Sequence, residues 1–129
     1  MKAWRVFFVL AALLNFFGGI MGWLSFAKQL TDAGFPAPNY PFFAQTLFLA
    51  VIIFGIGYLM VAADPLRHRG IVWLGLLAKI AGMAMTWWAV SLGQVPQEPY
   101  AVQPFFADLP WAIGFAIFLW KTRNTAPTT

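Results

Sequence analysis

Four long apolar runs, separated by short polar or proline-bearing breaks, dominate the chain. They cover about residues 4–27, 41–63, 70–92 and 104–120. Each is close to the roughly 20 residues that a helix needs to cross a bilayer. The runs are apolar on every side, so they lack the polar stripe of a surface helix on a soluble core. Nor do they alternate in short segments of about ten residues, as the strands of a membrane barrel would. The pattern predicts an all-α integral membrane four-helix bundle, forming one domain over 1–121. The polar stretch 122–129 is expected to be a disordered tail.

The breaks are abrupt. Pro36, Pro38 and Pro41 interrupt any helix between the first two runs, and Pro96, Pro99 and Pro104 do the same before the fourth. Between the second and third runs lies a tight turn, Asp64-Pro65-Leu66-Arg67-His68-Arg69-Gly70.

Composition agrees with lipid as the solvent. The chain has 129 residues, of which 61% are hydrophobic and 9% charged, where a soluble domain carries about 25% charged. The net charge of +4 does not form a groove-binding patch, so a nucleic-acid partner is not expected. The cations follow topology instead. Lys2 and Arg5, Arg67 and Arg69, and Lys121 and Arg123 fall on one side of a four-span chain, against Lys28, Asp32 and Glu98 on the other. The positive-inside rule then predicts both termini in the cytoplasm, with Arg67 and Arg69 as a cytoplasmic anchor. Trp4, Trp73 and Trp120 would mark that interface, and Trp23, Tyr40, Trp88 and Tyr100 the opposite one. Lys2 and Arg5 ahead of an apolar run imitate a signal peptide, but the run is too long for one and reads as an uncleaved anchor.

Few polar residues interrupt the runs, and Lys79 is the most conspicuous. A cation at such depth must be paired, hydrated or reaching for a surface. On a rise of 1.5 Å per residue, Asn15 and Lys79 come to lie about 16 and 14 Å from the cytoplasmic starts of their helices, near the midplane. Gln45 and Asp108 lie about 6 Å below the opposite entrance, and Thr86 shares the Lys79 face. Asn15, Gln45, Lys79, Thr86 and Asp108 are therefore the candidate lining of a buried polar cavity. A direct Lys79–Asp108 ion pair is disfavoured, because their depths differ by roughly 10 Å and their Cα–Cβ bonds lean in opposite directions. Water or Asn15 is expected between them.

The chain also matches itself. At an offset of 64, Asn15, Gly18, Met21 and Trp23 align with Lys79, Gly82, Met85 and Trp87. At 63, Pro41-Phe42-Phe43-Ala44-Gln45 aligns with Pro104-Phe105-Phe106-Ala107-Asp108. This predicts two related helical hairpins. Gly18, Gly19 and Gly22 in the first helix, and Gly75 and Gly82 in the third, permit close helix contact, Gly18 and Gly22 in a Gly-x-x-x-Gly packing pattern.

Much chemistry is excluded. There is no Cys and a single His, which disfavours haem, iron–sulfur and zinc sites and leaves any cofactor unknown. No catalytic set of residues stands out. The segment Gly55-Ile56-Gly57-Tyr58-Leu59, then Asp64-Pro65, then Gly70-Ile71-Val72 leading to Lys79, resembles uncharacterised bacterial four-span proteins. The overall plan, about 130 residues in four spans with both termini inside, resembles that of the DoxX-like small bacterial membrane proteins at the level of architecture. That resemblance implies a bacterial inner-membrane location, in a group whose roles are mostly unassigned or accessory to larger membrane complexes. It carries over no site residue. The expected function is accordingly a non-catalytic accessory or interaction subunit, with lipids and other membrane chains, or copies of itself, as partners. Phe35, Tyr40, Phe42, Phe43, Tyr100, Phe105 and Phe106 would supply its contacts. Two alternatives stay open: a lipophile-binding or transporting bundle centred on Lys79, and a small membrane enzyme using Lys79 or Asp108.

Overall fold

A computed structural model describes residues 1–94 and 107–127. Four helices account for most of them: α1 (Lys2–Asp32), α2 (Pro41–Ala63), α3 (Arg69–Ser91) and α4 (Leu109–Thr122). The first three are long and apolar enough to cross a membrane, and α4 is a shorter apolar helix of 14 residues. The expected start of the fourth run at Pro104 lies outside the described residues, as do Glu98, Tyr100, Phe105 and Phe106.

Local signals set the ends. Proline occupies the first turn of α2 and of α4, where a missing N–H is harmless and the fixed φ suits a helix. Glycine closes α1. Gly34 has φ of 88°, and the Phe35 N–H reaches back to the Leu30 carbonyl at 2.9 Å, so the last carbonyls are satisfied in the left-handed turn that only glycine adopts freely. In the α2–α3 turn, the Asp64 carboxylate accepts a bond from the Arg67 N–H at 3.2 Å.

All four helices meet at one end, here called the base, where α1 and α3 begin and α2 and α4 finish. Phe8, Ala11 and Ala12 of α1, Tyr58 and Val61 of α2, Val72 and Leu76 of α3, and Phe115, Phe118 and Leu119 of α4 form this core. Its rings interlock edge-on. Phe8 and Phe118 are 5.1 Å apart, Tyr58 and Phe115 also 5.1 Å, and Trp4 and Phe118 5.2 Å, separations at which T-shaped pairs are favourable. Trp4 is thus partly enclosed by the core. Trp73 and Trp120 stay exposed, as an interfacial belt requires.

Toward the opposite end, the top, the packing narrows to α1 against α2. Gly19 and Gly22 let the α2 backbone and Phe48 come close, and the Phe26 ring packs at a tilt against Phe48 with centroids 5.9 Å apart. The Gly-x-x-x-Gly pattern is half used: a side chain on Gly22 would run into Phe48, whereas one on Gly18 would meet nothing within 4 Å. The close contact belongs to Gly19 and Gly22, three apart on one helix face.

α3 grips α4 at the base. The Arg69 guanidinium donates to the carbonyls of Thr122 and, at 2.9 Å, Thr125. An arginine at a helix C-terminus satisfies carbonyls that have no intrahelical partner. Arg69 therefore ties two helices together, while Arg67 remains exposed. Arg69→Met is expected to let the last turn of α4 fray. Amide hydrogen exchange over 122–125 should rise several-fold with exchange in α1 and α2 unchanged; unaltered exchange at 122–125 would mean the tie is idle.

Candidate functional site

The four-helix core ends where α4 begins. There a cavity of about 180 Å³ is lined by Asn15, Val51, Phe54, Tyr58, Gly75, Ala78, Lys79 and Asp108. Of the five polar residues singled out from the sequence, Asn15, Lys79 and Asp108 meet in it.

Lys79 and Asp108 are in direct contact, with Nζ to Oδ1 at 2.8 Å. This corrects the expectation that water or Asn15 would separate them. The reason is the length of α4. Measured from the base, its 14 residues rise about 21 Å, and Asp108 caps the far end. Lys79 lies ten residues beyond Arg69, about 15 Å from the same end. The gap is then about 6 Å rather than 10 Å, within reach of a flexible four-carbon stem. The backward lean of the Lys79 Cβ is overcome along that stem. Asp108 also sits at a helix N-terminus, where the macrodipole favours an anion.

The rest of the lysine's surroundings are aromatic. Its ammonium lies 5.6 Å from the Phe115 centroid, in range for a cation–π contact. The pair is unevenly covered, since the Lys79 side chain is 10% exposed and that of Asp108 46%.

Asn15 contributes differently. Its Nδ2 donates to the Val51 carbonyl at 3.1 Å, joining α1 to α2 as Lys79 joins α3 to α4. In each hairpin, then, the mid-helix polar residue of the first helix reaches across to the second. The hairpins differ in length, with 23 residues in α2 against 14 in α4.

Gln45 and Thr86 are elsewhere. Gln45 sits near the top and donates to the Trp23 carbonyl at 3.4 Å. Thr86 is buried, but its hydroxyl donates to the Gly82 carbonyl of its own helix at 2.9 Å. That back-bond satisfies it locally. Both lie too far from the base to share a cavity with Tyr58 and Gly75.

Tyr58 is the residue that the sequence reading did not place in the site. It is 2% exposed, and its phenol end lies over Gly75, where an added Cβ would come within 2.5 Å of the hydroxyl oxygen. The hydroxyl makes no hydrogen bond to another described residue. Among the described residues, no fully enclosed polar side-chain atom lacks a partner. The Tyr58 oxygen is therefore reached from the cavity it lines. A signal existed in the sequence: Tyr58 carries the one hydroxyl-bearing ring within the apolar runs. Among the described residues, no group of His, Cys, Asp and Glu could hold a metal ion.

Comparison with known proteins adds no further constraint: no family model, curated protein or solved structure matches this chain.

Proposed function

We propose that this chain is a multi-pass membrane protein whose bundle holds the head of a neutral lipophilic small molecule, at a site built by Lys79, Asp108, Tyr58 and Asn15. The observation that carries the reading is the hydroxyl of Tyr58, a residue 2% exposed, which has no partner among the described residues, opens on the cavity and lies beside an intramembrane ion pair. A buried hydroxyl left unbonded is costly, and apolar packing would hold these helices together at least as well as an ion pair. A guest that accepts hydrogen bonds gives both features a purpose.

The site's chemistry narrows the guest. Asp108 already neutralises Lys79, so a charged head would upset the balance. The Lys79 ammonium has donors beyond the one Asp108 takes, and Tyr58 can donate as well. A ketone, ester or amide carbonyl fits. At about 180 Å³ the cavity is smaller than the roughly 300–1,000 Å³ that encloses a drug-sized ligand, so it would take the head and leave the tail among the lipid chains. In this reading both termini face the cytoplasm of a bacterial cell, following the cation count.

The accessory-subunit reading, favoured by the DoxX-like resemblance, rests on the exposed aromatics Tyr40, Phe42 and Phe43, two of which stack at 4.2 Å. Such rings suit a headgroup belt equally well, so they carry less weight than the cavity.

Two variants test the site. Tyr58→Phe removes the hydroxyl while keeping the ring against Phe8, Phe54 and Phe115. Gly75→Val drives a side chain into the phenol. Protein purified in mild detergent should carry a low-mass lipophile near one per chain, detectable by mass spectrometry of an organic extract. Both variants should lose most of it. A native protein that carries only bulk phospholipid, or variants that retain the molecule equally, would sink the proposal.

A further inference from the structure

A second cavity, of about 270 Å³, lies at the base of α4, walled by Trp120, Lys121, Arg123 and Asn124. It is separate from the α1–α4 site and shares none of its lining residues. The Arg123 guanidinium rests on the Trp120 ring, 5.0 Å from its centroid. Neither Lys121 nor Arg123 pairs with a carboxylate among the described residues. Arg69 makes the contrast clear, because its donors are taken up by the carbonyls of Thr122 and Thr125. The two cations of the groove remain available.

An apolar strip leads away from this groove. Ile113, Ile117 and Trp120 recur at helical spacing and so share one face of α4. Their exposures are 52%, 42% and 63%. A helix face of this kind, ending in an amide and two cations that have no carboxylate partner among the described residues, matches an amphiphile laid parallel to the helix.

We propose that the groove and strip together bind an anionic phospholipid, with its phosphodiester between Lys121, Arg123 and Asn124 and an acyl chain along Ile117 and Ile113. The parts divide the recognition. Arginine and lysine supply charge-assisted bonds to phosphate oxygens. The Trp120 ring, with an apolar body and one N–H, stands at the level where headgroup gives way to hydrocarbon. A choline head brings a cation of its own and meets repulsion from Lys121 and Arg123, so the site selects for net negative lipids. Free phosphate would make the polar contacts but gain nothing from the strip.

The test is a titration of the full chain in neutral detergent, read by native mass spectrometry. The probes are phosphatidylglycerol, phosphatidylcholine and inorganic phosphate. Phosphatidylglycerol should bind in preference, and the Lys121→Gln/Arg123→Gln protein should bind it roughly 30-fold more weakly, the loss expected from two surface cations. Lys2→Gln/Arg67→Gln removes the same charge from the base outside the groove and should leave binding within about twofold of the native value. The proposal is overturned if that control weakens binding as much as the groove variant, since the attraction is then one of bulk charge. Equal binding of phosphatidylcholine overturns it too. So does displacement of the lipid by millimolar inorganic phosphate, which would reveal a phosphate site with no role for the strip.

Discussion

The Lys79→Met protein is expected to unfold at markedly lower temperature than the native chain, and the Lys79→Met/Asp108→Leu protein to regain most of the loss. Removing one partner of a fully buried pair costs about 3–5 kcal/mol, because the other charge is left without compensation. Asp108 is 46% exposed, so part of its charge is relieved by its surroundings. The expected loss for the single variant is then about 1–3 kcal/mol. Replacing both charges removes the orphan, and apolar substitutes for buried pairs are often neutral or better. Thermal unfolding in detergent, followed by circular dichroism at 222 nm, measures both. If the single variant is as stable as the native protein, the pair is not holding α4. If the double variant is no better than the single one, the stability comes from Lys79 packing on Phe115 rather than from charge. Ligand retention separates stability from function: the double variant should be stable and empty.

Gly19→Leu is expected to have the other large effect, by prising α1 from α2. A Cβ at Gly19 would lie 2.6 Å from Ile52 Cγ1 and 3.1 and 3.2 Å from the Phe48 carbonyl oxygen and the Ile52 nitrogen. The last two are backbone atoms and cannot rotate away. Overpacking of this kind costs about 1–3 kcal/mol where side chains can adjust, and the backbone contact puts Gly19 at the upper end or above. Gly22→Leu should be milder, since its obstacle is the Phe48 ring, which can turn. Gly18→Leu is the control. Nothing lies within 4 Å of its would-be Cβ, so its effect should stay within about 0.5 kcal/mol. The same unfolding measurement ranks the three. A loss at Gly18 equal to that at Gly19 would contradict the packing described here.

Much of this was legible in the sequence, and the failures have physical causes. The apolar runs locate α2 and α3 to within one residue at each end and α1 to within five, because a lipid-length helix announces itself by hydropathy alone. Hydropathy does not say which face is inside. In α2 the buried Gly55, Tyr58 and Val61 stand among equally apolar residues that face outward, such as Ile53 and Ile56. With lipid outside and core inside, periodicity carries almost no contrast. That is why nothing in the sequence sets Tyr58 apart as inward-facing, or tells which of Gly18, Gly19 and Gly22 make the close contact. Lys79 and Asn15 stood out because a polar group in such a run is conspicuous whichever way it points. The ion pair is disfavoured in the sequence because the depth estimate starts the fourth helix at Pro104, which lies outside the described residues. Pro110 lies in the first turn of α4, which brings Asp108 close enough for Lys79 to reach.

The two ties between α3 and α4 run in the same direction: α3 supplies the cation at both, Arg69 below and Lys79 above, and α4 supplies the acceptors. This polarity bears on biosynthesis. A ribosome delivers α3 first, carrying a bare ammonium in mid-segment, and the carboxylate that neutralises it arrives 29 residues later. α4 on its own is short for a bilayer whose hydrocarbon is about 30 Å thick. α3 is long and apolar enough to cross a membrane, but its lysine has its carboxylate only once the shorter α4 has followed. In a bilayer, entry of α3 and α4 as one hairpin would present the charge already matched, whereas entry one by one would expose the ammonium to lipid.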